Sequence, residues 1–444
     1  MTPGFVFKLR PNGPWRIGPN DGDRQRAELV YHSDALYSAI TGAMRDFGLL
    51  DAWLDATARA GDGSAVRFSS CFPWIGKTRL APPPKHIWPA MFSTKLRWKG
   101  ARYIPLALVA DLLAGKAPED SRWMVDGPSG CLLPAGSPAG PFRMAVRSSA
   151  SVDRFLGGVA VHSAACVEFA PNAGLWGAVS FADREAAEKW SGPVKGVIRL
   201  LCDSGFGGGR SRGWGKSDSP EFRDGFLPGL ILRPAETAAT AERATATELS
   251  GAAESAAAIE PMGAVESGTA AQPEPAGEPA VAIEPAATEP MGAVESGTAA
   301  EPAMAPALAG APESATATEP SDAVDFGTVA ESVAAVEFAP ETRAGNARGE
   351  TVHWLLSLFT PGAADGVDWR QGSYSLVTRA GRVESSVRSG DEKKRLNMVE
   401  EGSVLVAPGR LLGAAVDVAP DGFPHPVYRF GCALSIPVPR RVTP

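Results

Sequence analysis

The chain has 444 residues, 44% of them apolar, so it is long enough to bury the cores of two or three domains. Its net charge of −7 is unevenly distributed: residues 234–345 carry −17 and the remainder carries +10, which is typical of a folded part that neutralises a nucleic-acid backbone. The five scattered cysteines form no CxxC pair and indicate reduced thiols of a cytoplasmic protein, and the five dispersed histidines form no zinc motif. We expect neither a signal peptide in Met1–Arg10 nor a membrane span, because no apolar run is long enough.

The chain begins with a strand pattern followed by a helix pattern. Residues 5–10 alternate apolar and basic side chains, which predicts a half-buried strand with a basic outer face. Apolar residues then recur at helical spacing, namely at Leu36, Ile40, Met44 and Phe47. We expect this helix to use Ser33 as its N-cap and to stop at Gly48. A strand followed by a helix is how a ferredoxin-like domain begins.

Basic and aromatic residues alternate in residues 95–103. The cations are Lys95, Arg97, Lys99 and Arg102, and the residues between them include Leu96, Trp98 and Tyr103. This pattern suits a surface on which bases stack while cations hold phosphates. It suits an exposed hairpin edge guarded by charge equally well. The sequence leaves both interpretations open.

The next segments predict a hairpin and a second helix. Residues 161–169 and 175–181 alternate around a turn at Pro171–Gly174, which predicts that they pair. Pro193 suits a first helical turn, and the apolar face that follows consists of Val194, Val197, Ile198 and Leu201. This helix would lead directly into a glycine-rich loop. A helix end next to the N–H groups of such a loop suits binding of an RNA backbone without recognition of its bases.

The glycine-rich loop, Gly205–Lys216, contains six glycines, two arginines and a lysine. Glycines let backbone N–H groups approach a bound group and form an anion cradle, while arginine and lysine add phosphate donors. No histidine or carboxylate lies within the loop to activate Ser211, so the predicted chemistry is phosphodiester binding without bond breaking. The predicted RNA-binding residues here are Gly205, Gly207, Gly208, Gly209, Arg210, Ser211, Arg212, Gly213, Trp214 and Lys216.

Two familiar phosphate motifs do not fit this loop. Gly215-Lys216-Ser217 supplies the end of a P-loop, but Arg210 stands where its first glycine is required. The dinucleotide fingerprint fails at the same residue. What fits is a pair of Gly-apolar-Gly triplets, Gly205–Gly207 and Gly213–Gly215, which resembles the glycine-rich loop of the RAMP superfamily of CRISPR proteins. A mobile turn without a partner is the alternative, although basic and aromatic residues are unusual in a mere turn.

Residues 234–345 are composed mainly of Ala, Glu, Pro, Thr, Ser and Gly, and the twelve residues from Glu260 recur identically from Glu289. With Phe326 and Phe338 as its only aromatic residues, this stretch has too little apolar surface to offset its ordering entropy. The repeats lack apolar faces that could stack into a solenoid. We therefore predict a disordered acidic linker that serves as a solvated spacer.

Strand patterns return after the linker, at residues 352–359, 373–378, 402–406 and 427–438. Helical signals are fewer here than in the first part of the chain. A basic cluster is formed by Arg388, Lys393, Lys394 and Arg395, and such clusters are typical of a solvated face.

Further segments make the family resemblance more specific. In chain order these are GPWRIG, HSDALYSAI, FSSCFPWIG, VRSSASVDR, LCDSGFGGGRSRGWGK and EEGSVL…HPVYRFGCAL. Together they resemble the fourth subunit of the type III-A CRISPR Csm effector complex. The resemblance implies an α+β fold with two ferredoxin-like (RRM-like) RAMP domains, residues 1–233 and 346–444, joined by the linker 234–345.

The resemblance also implies a function in antiviral defence. The chain would be a non-catalytic subunit that holds the repeat-derived 5′ tag of crRNA and joins the large Cas-ten-type subunit to the backbone RAMP subunit. It would need no cofactor and no metal. The glycine-rich loop and the basic segment that contains Arg147 and Arg154 would contact the tag.

Two enzymatic alternatives compete with this interpretation. Related RAMP proteins cut precursor crRNA without metal by means of a histidine near the first helix, where this chain has His32. Histidine can act as a general base or acid in attack of a 2′-OH on the adjacent phosphate, but no clear second catalytic group accompanies it. An NTP-using enzyme is the other alternative, and the failed phosphate motifs argue against it.

Overall fold

The structure is a computed structural model that describes residues 1–18, 26–61, 63–88, 98–155, 157–232, 350–385 and 387–440. It is a mixed α/β, sheet-rich fold with few helices, in agreement with the expected α+β class. Within the described residues the α-helices are α1 (Ser33–Asp46), α2 (Leu50–Ala56), α3 (Leu106–Leu113) and α4 (Arg184–Ser204). Short 3-10 turns lie at Asp120–Arg122 and Arg210–Arg212.

The strands of the first part of the chain are β1 (Thr2–Leu9), β2 (Val66–Phe68), β3 (Phe72–Ile75), β4 (Thr78–Ala81), β5 (Ile104–Pro105), β6 (Trp123–Asp126), β7 (Cys131–Pro134), β8 (Phe142–Val152), β9 (Val159–Phe169), β10 (Ala173–Phe181) and β11 (Glu221–Leu227). Those of the last part are β12 (Thr351–Leu355), β13 (Asp368–Ser373), β14 (Leu376–Arg379), β15 (Leu396–Val399), β16 (Val404–Ala407), β17 (Ala415–Asp417), β18 (Tyr428–Phe430) and β19 (Ser435–Val438).

β1 is an inner strand, next to the edge strand β11, of a seven-stranded sheet with the order β11-β1-β10-β3-β4-β5, and β2 pairs with β10. Its neighbours β10 and β11 are both antiparallel to it. Phe5, Phe7 and Leu9 face a cluster that includes α1 and α4, as the alternation predicted. Val6 is buried in a second cluster on the other face. The strand is therefore covered on both sides rather than half-buried.

α1 confirms the predicted helix but not its predicted cap. The residue at the N-cap position is His32, and Ser33 is the first residue inside the helix. The Ser33 hydroxyl accepts the backbone N–H of Leu358 at 3.0 Å, and the Ser33 N–H donates to Ser70 Oγ at 2.8 Å. Distant residues thus replace the local cap. Phe47, predicted on the apolar face, is 46% exposed because it follows the last helical turn.

α4 begins nine residues before the predicted start. Asp183 is its N-cap and accepts the N–H of Ala186 at 2.8 Å, so Pro193 lies inside the helix instead of in its first turn. The predicted apolar face, including Val194 and Leu201, is buried as expected. The first two turns contain mainly charged residues and alanines, and Trp190 is the first buried residue of the helix. The apolar spacing that indicates a helix therefore becomes clear only after the true start.

The predicted hairpin between residues 161–169 and 175–181 is wrong, although both strands exist. β9 pairs with β8 over its whole length, from Phe142↔Phe169 to Val152↔Val159. β10 pairs instead with β1, β2 and β3. The turn at Pro171–Gly174 therefore carries the chain from a two-stranded ribbon into the main sheet.

The last part of the chain forms a four-stranded antiparallel sheet with the order β13-β16-β12-β19. Residues 350–385 and 387–440 contain no helix. The predicted strand run at residues 427–438 is divided between β18 and β19 by Gly431–Leu434. The predicted linker lies outside the described residues.

The two described parts of the chain form one compact unit. An apolar cluster combines Trp74 and Trp176 from the first part with Val352, Trp354 and Ile436 from the last part. The Trp354 indole N–H donates to the Pro82 carbonyl at 3.2 Å. The two parts therefore share a hydrophobic core.

The basic and aromatic segment at residues 95–103 supplies core residues where it is described. Trp98 and Tyr103 are buried, and the Trp98 ring stacks on Trp88 with centroids 5.5 Å apart. Neither ring is free to stack on a base. Lys95, Leu96 and Arg97 lie outside the described residues.

Candidate nucleic-acid interface

The glycine-rich loop begins where α4 ends, as predicted. Gly205 is the C-cap residue, with φ 96°, and the 3-10 turn Arg210–Arg212 stands between Gly209 and Gly213, both left-handed. These φ values favour glycine, since an L side chain is strained in that region. The C-terminal end of a helix is its negative pole, so α4 contributes no attraction for an anion here and the cations must supply it.

Several glycine-loop N–H groups are engaged within the protein. Phe206 N donates to the Gly215 carbonyl at 2.9 Å and Gly208 N to the Arg16 carbonyl at 2.9 Å. Gly215 N donates to the Pro14 carbonyl at 3.0 Å. These glycines let the loop lie closely against the segment 14–16, and these three N–H groups are not available as an anion cradle. Any backbone cradle must therefore use other groups of the loop.

The two aromatic residues of the loop lie in different environments. Phe206 is buried and stacks on Trp15, with ring centroids 5.1 Å apart and an interplanar angle of 19°. Trp214 is half-buried, and its ring lies against Gly209, where an added Cβ would approach the ring to 3.2 Å. Phe206 thus anchors the loop to the core, while Trp214 supports the turn and keeps part of its ring accessible.

The cations of the loop are exposed and have two identified contacts. Arg210 pairs with Glu384 at 3.0 Å, and Arg212 donates to Ser149 Oγ on β8 at 3.3 Å. Lys216 is exposed as well. Neither Glu384 nor Ser149 could be predicted as a partner, because 174 and 63 residues separate them from Arg210 and Arg212 along the chain.

The β8–β9 ribbon has a polar face that includes Arg147, one of the two arginines predicted outside the glycine-rich loop to contact RNA. Arg147 pairs with Glu168 at 2.6 Å and Arg143 pairs with the same carboxylate at 3.0 Å. Hydrogen bonds from both guanidinium groups lower the pKa of Glu168. Arg154 is exposed near the ribbon tip. Because Ser149 lies on the same strand, the Arg212 contact joins this face to the glycine-rich loop.

The opposite face of the β8–β9 ribbon is apolar and exposed. Its cross-strand partners are Val152 with Val159 and Ala150 with Val161. The exposed valines are Val146, Val152, Val159 and Val161, and Phe155 at the tip is 96% exposed. We call these five side chains the apolar ribbon face. The hydrogen-bonded pair Ser148 and Ser163 lies on the same side of the ribbon, between Val146 and the pair Ala150–Val161. Exposed apolar side chains grouped in this way are typical of an interaction site.

His32 is buried and belongs to a network that joins the two parts of the chain. Its Nδ1 lies 2.8 Å from Glu401 Oε1, which also accepts a hydrogen bond from Ser70. Burial alone disfavours the imidazolium, but the Glu401 carboxylate outweighs it, so the pKa of His32 is raised. The Glu401 pKa is lowered by the same pairing, against its burial.

A second buried group of charges adjoins this pair. Asp34 on α1 receives hydrogen bonds from Arg379 and Arg429, two guanidinium groups of the last part of the chain. Although burial opposes it, the two cations hold the pKa of Asp34 well below its usual range. Arg379 also contacts Glu28 at 3.2 Å. The N–H groups at the start of α1 donate to side chains instead: Ser33 N–H to Ser70 Oγ and Ala35 N–H to Asp34 Oδ1.

The five cysteines are free and buried, as expected of reduced thiols. Burial raises the pKa of Cys131, Cys202 and Cys432 to about 12, so these thiols are poor nucleophiles. Among the residues that the structure describes, no three His, Cys, Asp or Glu side chains form a metal-binding group. None of the described helices has both the length and the apolarity needed to cross a bilayer.

Comparison with known families identifies the kind of protein to which this last part belongs: a component of CRISPR systems. Residues 349–438 match the family model of the CRISPR Csm4 C-terminal domain. The chain thus carries a Csm4 C-terminal domain, and the resemblance to the fourth Csm subunit is confirmed there. No curated protein matches the chain.

Solved structures with similar chains include a Csm1–Csm4 cassette in complex with cA4, at 14% identity and a TM-score of 0.44, covering 99% of this chain and 100% of that one. A Csm3–Csm4 subcomplex of the type III-A CRISPR-Cas interference complex matches at 12% identity and a TM-score of 0.49, covering 98% and 100%.

Proposed function

We propose that this protein is a non-catalytic RNA-binding subunit of a type III-A CRISPR interference complex and that it holds the 5′ repeat-derived tag of crRNA. The observation that carries the proposal is the contact of Arg212 with Ser149, which makes the glycine-rich loop and the polar face of the β8–β9 ribbon one continuous surface. Arg147, Arg154, Arg210, Arg212 and Lys216 contribute five cations to it.

The chemistry of this surface favours backbone binding over base reading. Exposed guanidinium and ammonium groups neutralise phosphates irrespective of sequence. The half-buried Trp214 adds an aromatic surface for one base. In the free protein Glu168 pairs with Arg147 and Glu384 pairs with Arg210, so RNA phosphates would replace these two carboxylates on binding.

The strand orders support two ferredoxin-like sheets. In the first part, the order β11-β1-β10-β2 places the fourth strand next to the first and the third next to the second, with α1 and α4 as the two helices. In the last part, β19-β12-β16-β13 repeats the same 4-1-3-2 order, while the described residues between those strands form loops and short ribbons instead of helices. We propose that both parts are RAMP domains on this basis.

We also propose that the protein joins the large Cas-ten-type subunit to the backbone RAMP subunit. The match to the Csm4 family supports this assignment. The apolar ribbon face is suited to a protein partner, because it is opposite the cationic face and carries no charge of its own. We assign it to the backbone subunit. Cytoplasmic localisation belongs to the same proposal.

A cleavage role for His32 is less well supported than binding. The side chain is 8% exposed and is paired with Glu401, so a 2′-OH could not reach it without disrupting the buried network. To test the point, purified protein is incubated with labelled precursor RNA. We expect no tag-length product, and a product that disappears in His32→Ala would contradict the binding-only proposal.

The RNA proposal is tested by Arg212→Ala in a titration with tag-containing RNA at several salt concentrations. We expect weaker binding to all sequences and a salt dependence flatter by roughly one unit for the lost phosphate contact. Arg184→Ala is the control, since Arg184 is an exposed α4 residue paired with Glu188 and lies outside the proposed surface. Equal affinity and salt slope for both variants and the unaltered protein would exclude the glycine-rich loop from the interface.

A further inference from the structure

The polar face of the β8–β9 ribbon carries an imidazole beside the glycine-rich loop. His162 of β9 is paired directly with Ser149 of β8, so the two side chains lie on the same face with their Cβ atoms about 5 Å apart. Ser149 is also the residue whose hydroxyl accepts the hydrogen bond from Arg212. The imidazole therefore lies where the ribbon meets the loop.

One ring nitrogen of His162 is engaged and the other is not. Nε2 lies 2.8 Å from Ser151 Oγ, and a serine hydroxyl can donate to this nitrogen or accept from it. Within the described residues, Nδ1 makes no hydrogen bond. The side chain is half-buried, and a protonated imidazole donates from both nitrogens. The contact with Ser151 thus orients the ring while Nδ1 stays available to a ligand.

The ring projects from a strip of short side chains. Its neighbours on this face, apart from Glu168 and the arginines at the other end of the ribbon, are Cys166, Ala164, Ala160, Ser149 and Ser151. None of these five side chains extends as far from the sheet as an imidazole. His162 is therefore the side chain that a strand of RNA lying along this strip would meet.

The cations that border this strip keep their charge at every physiological pH. They are Arg147 on β8, Arg154 in the turn at the tip and Arg212 from the glycine-rich loop, and all three are exposed. Burial raises the pKa of the Cys166 thiol, so this group stays neutral. A change of charge on the strip near neutral pH must therefore come from the imidazole.

The two carboxylates of the ribbon already have partners. Glu168 pairs with Arg147 at 2.6 Å and with a second arginine at 3.0 Å. Asp153 Oδ1 accepts the backbone N–H of Phe155 at 2.8 Å. Within the described residues, neither carboxylate makes a hydrogen bond to His162. An imidazolium at this position would take its counter-charge from a bound anion.

We propose that His162 is a further RNA contact and that its protonated imidazole binds a backbone phosphate next to Arg212, an inference that rests on the proposed RNA surface. Imidazole is the side chain whose charge ordinarily changes between about pH 5 and 8. Protonation and RNA binding then favour each other, because the coupling between two ligands of one protein is reciprocal. RNA affinity rises as pH falls, and binding is accompanied by proton uptake.

The test is a titration of the full-length protein with a short labelled oligouridine at about pH 7.5 and about pH 5.5, at several salt concentrations. The bases of this probe stay neutral at both pH values. We expect about two- to fivefold tighter binding at the lower pH, the range of one exposed ion pair, and a salt dependence steeper by about 0.7 units for one added phosphate contact. Calorimetry in buffers of different ionisation enthalpy measures the proton uptake.

Two substitutions separate charge from shape. His162→Gln retains hydrogen-bonding groups but cannot be charged, and we expect it to remove both the pH effect and the proton uptake. His162→Arg is permanently charged, and we expect it to bind at the higher pH about as tightly as the unaltered protein does at the lower. His86→Gln is the matched control, because His86 is a half-buried histidine that lies against the Pro439 carbonyl, outside the proposed RNA surface. It should keep the full pH dependence.

Binding by the unaltered protein that does not change with pH, or a full pH dependence in His162→Gln, would overturn the inference. An equal loss of pH dependence in His86→Gln would overturn it as well. If Arg212→Ala weakens binding while His162→Gln keeps its pH dependence, the RNA surface stands and this inference alone fails. If neither variant alters binding, the RNA lies elsewhere and the proposed surface fails with it.

Discussion

At the scale of single residues, the glycines of the loop have different structural reasons to be glycine. Gly209 and Gly213 have nearly the same left-handed φ, 78° and 79°. A Cβ on Gly209 would press on the Trp214 ring, whereas a Cβ on Gly213 would meet nothing within 4 Å. The pair separates the effect of backbone strain from the effect of packing.

We therefore predict that Gly213→Ala lowers the free energy of unfolding by about 1 kcal/mol, the cost of a left-handed alanine. Gly209→Ala should cost about 2–3 kcal/mol, because it also displaces Trp214. Urea denaturation of the two variants measures the difference. Equal losses would show that the Trp214 ring does not pack on Gly209.

A second prediction at this scale concerns Glu384, whose carboxylate pairs with Arg210 on the candidate RNA surface. Glu384→Gln frees that guanidinium, and we expect RNA affinity at low salt to rise about two- to fivefold, the range of an exposed ion pair. Glu392→Gln is the matched control, because Glu392 is an exposed carboxylate paired with Arg382. An equal rise in both variants would indicate a general charge effect and no role for the Arg210 pair.

At the scale of elements, the start of α1 depends on buried charges from the other end of the chain. Asp34→Asn would leave Arg379 and Arg429 buried without their carboxylate, so we expect a loss of about 3–5 kcal/mol at pH 7. Asp46→Asn, on an exposed residue of the same helix, should change stability little. Chemical denaturation of both variants gives the comparison.

The same network sets a pH dependence. The folded-state pKa of Asp34 is depressed, so its stabilisation is complete above the unfolded-state pKa, near 3.9, and is lost as pH falls through the folded-state value. The unaltered protein should therefore lose more stability than Asp34→Asn below about pH 4. Parallel acid sensitivity of the two proteins would contradict the contribution of this carboxylate.

At this scale, the sequence predicted features that depend on residues within one segment and missed features that depend on contacts with distant residues. The spacing of Leu36, Ile40 and Met44 identified α1 because periodicity is read within the segment itself. The cap at Ser33 was wrong because Leu358 and Ser70, far along the chain, determine what its polar groups do. The predicted pairing of β9 with β10 was wrong because alternation in two consecutive strands does not show which strand each one pairs with. β9 forms its hydrogen bonds with β8 instead.

The candidate site shows the same limit. Composition alone located the cations of the glycine-rich loop, and the structure shows Arg210 and Arg212 exposed. The glycine pattern could not show that the N–H groups of Gly208 and Gly215 donate to carbonyl groups of the segment 14–16.

At the scale of the whole molecule, the acidic repeat stretch lies outside the residues that the structure describes. Because residues 1–18 and 350–440 belong to one compact unit, we predict that deletion of residues 235–340 leaves the fold and the RNA affinity unchanged. Yield, Tm and RNA binding of the deletion variant are the measurements. Loss of soluble protein would show that this stretch contributes to folding.

The shared core has a consequence for synthesis of the chain. Trp74 and Trp176 leave the ribosome well before Val352, Trp354 and Ile436, which complete their apolar cluster. The 117 residues between Leu232 and Glu350 must be translated in the meantime, which takes roughly 6–23 s at about 5–20 residues per second. For that interval the nascent first part exposes an unfinished tryptophan-rich surface, so it is a substrate for chaperones that bind to translating ribosomes.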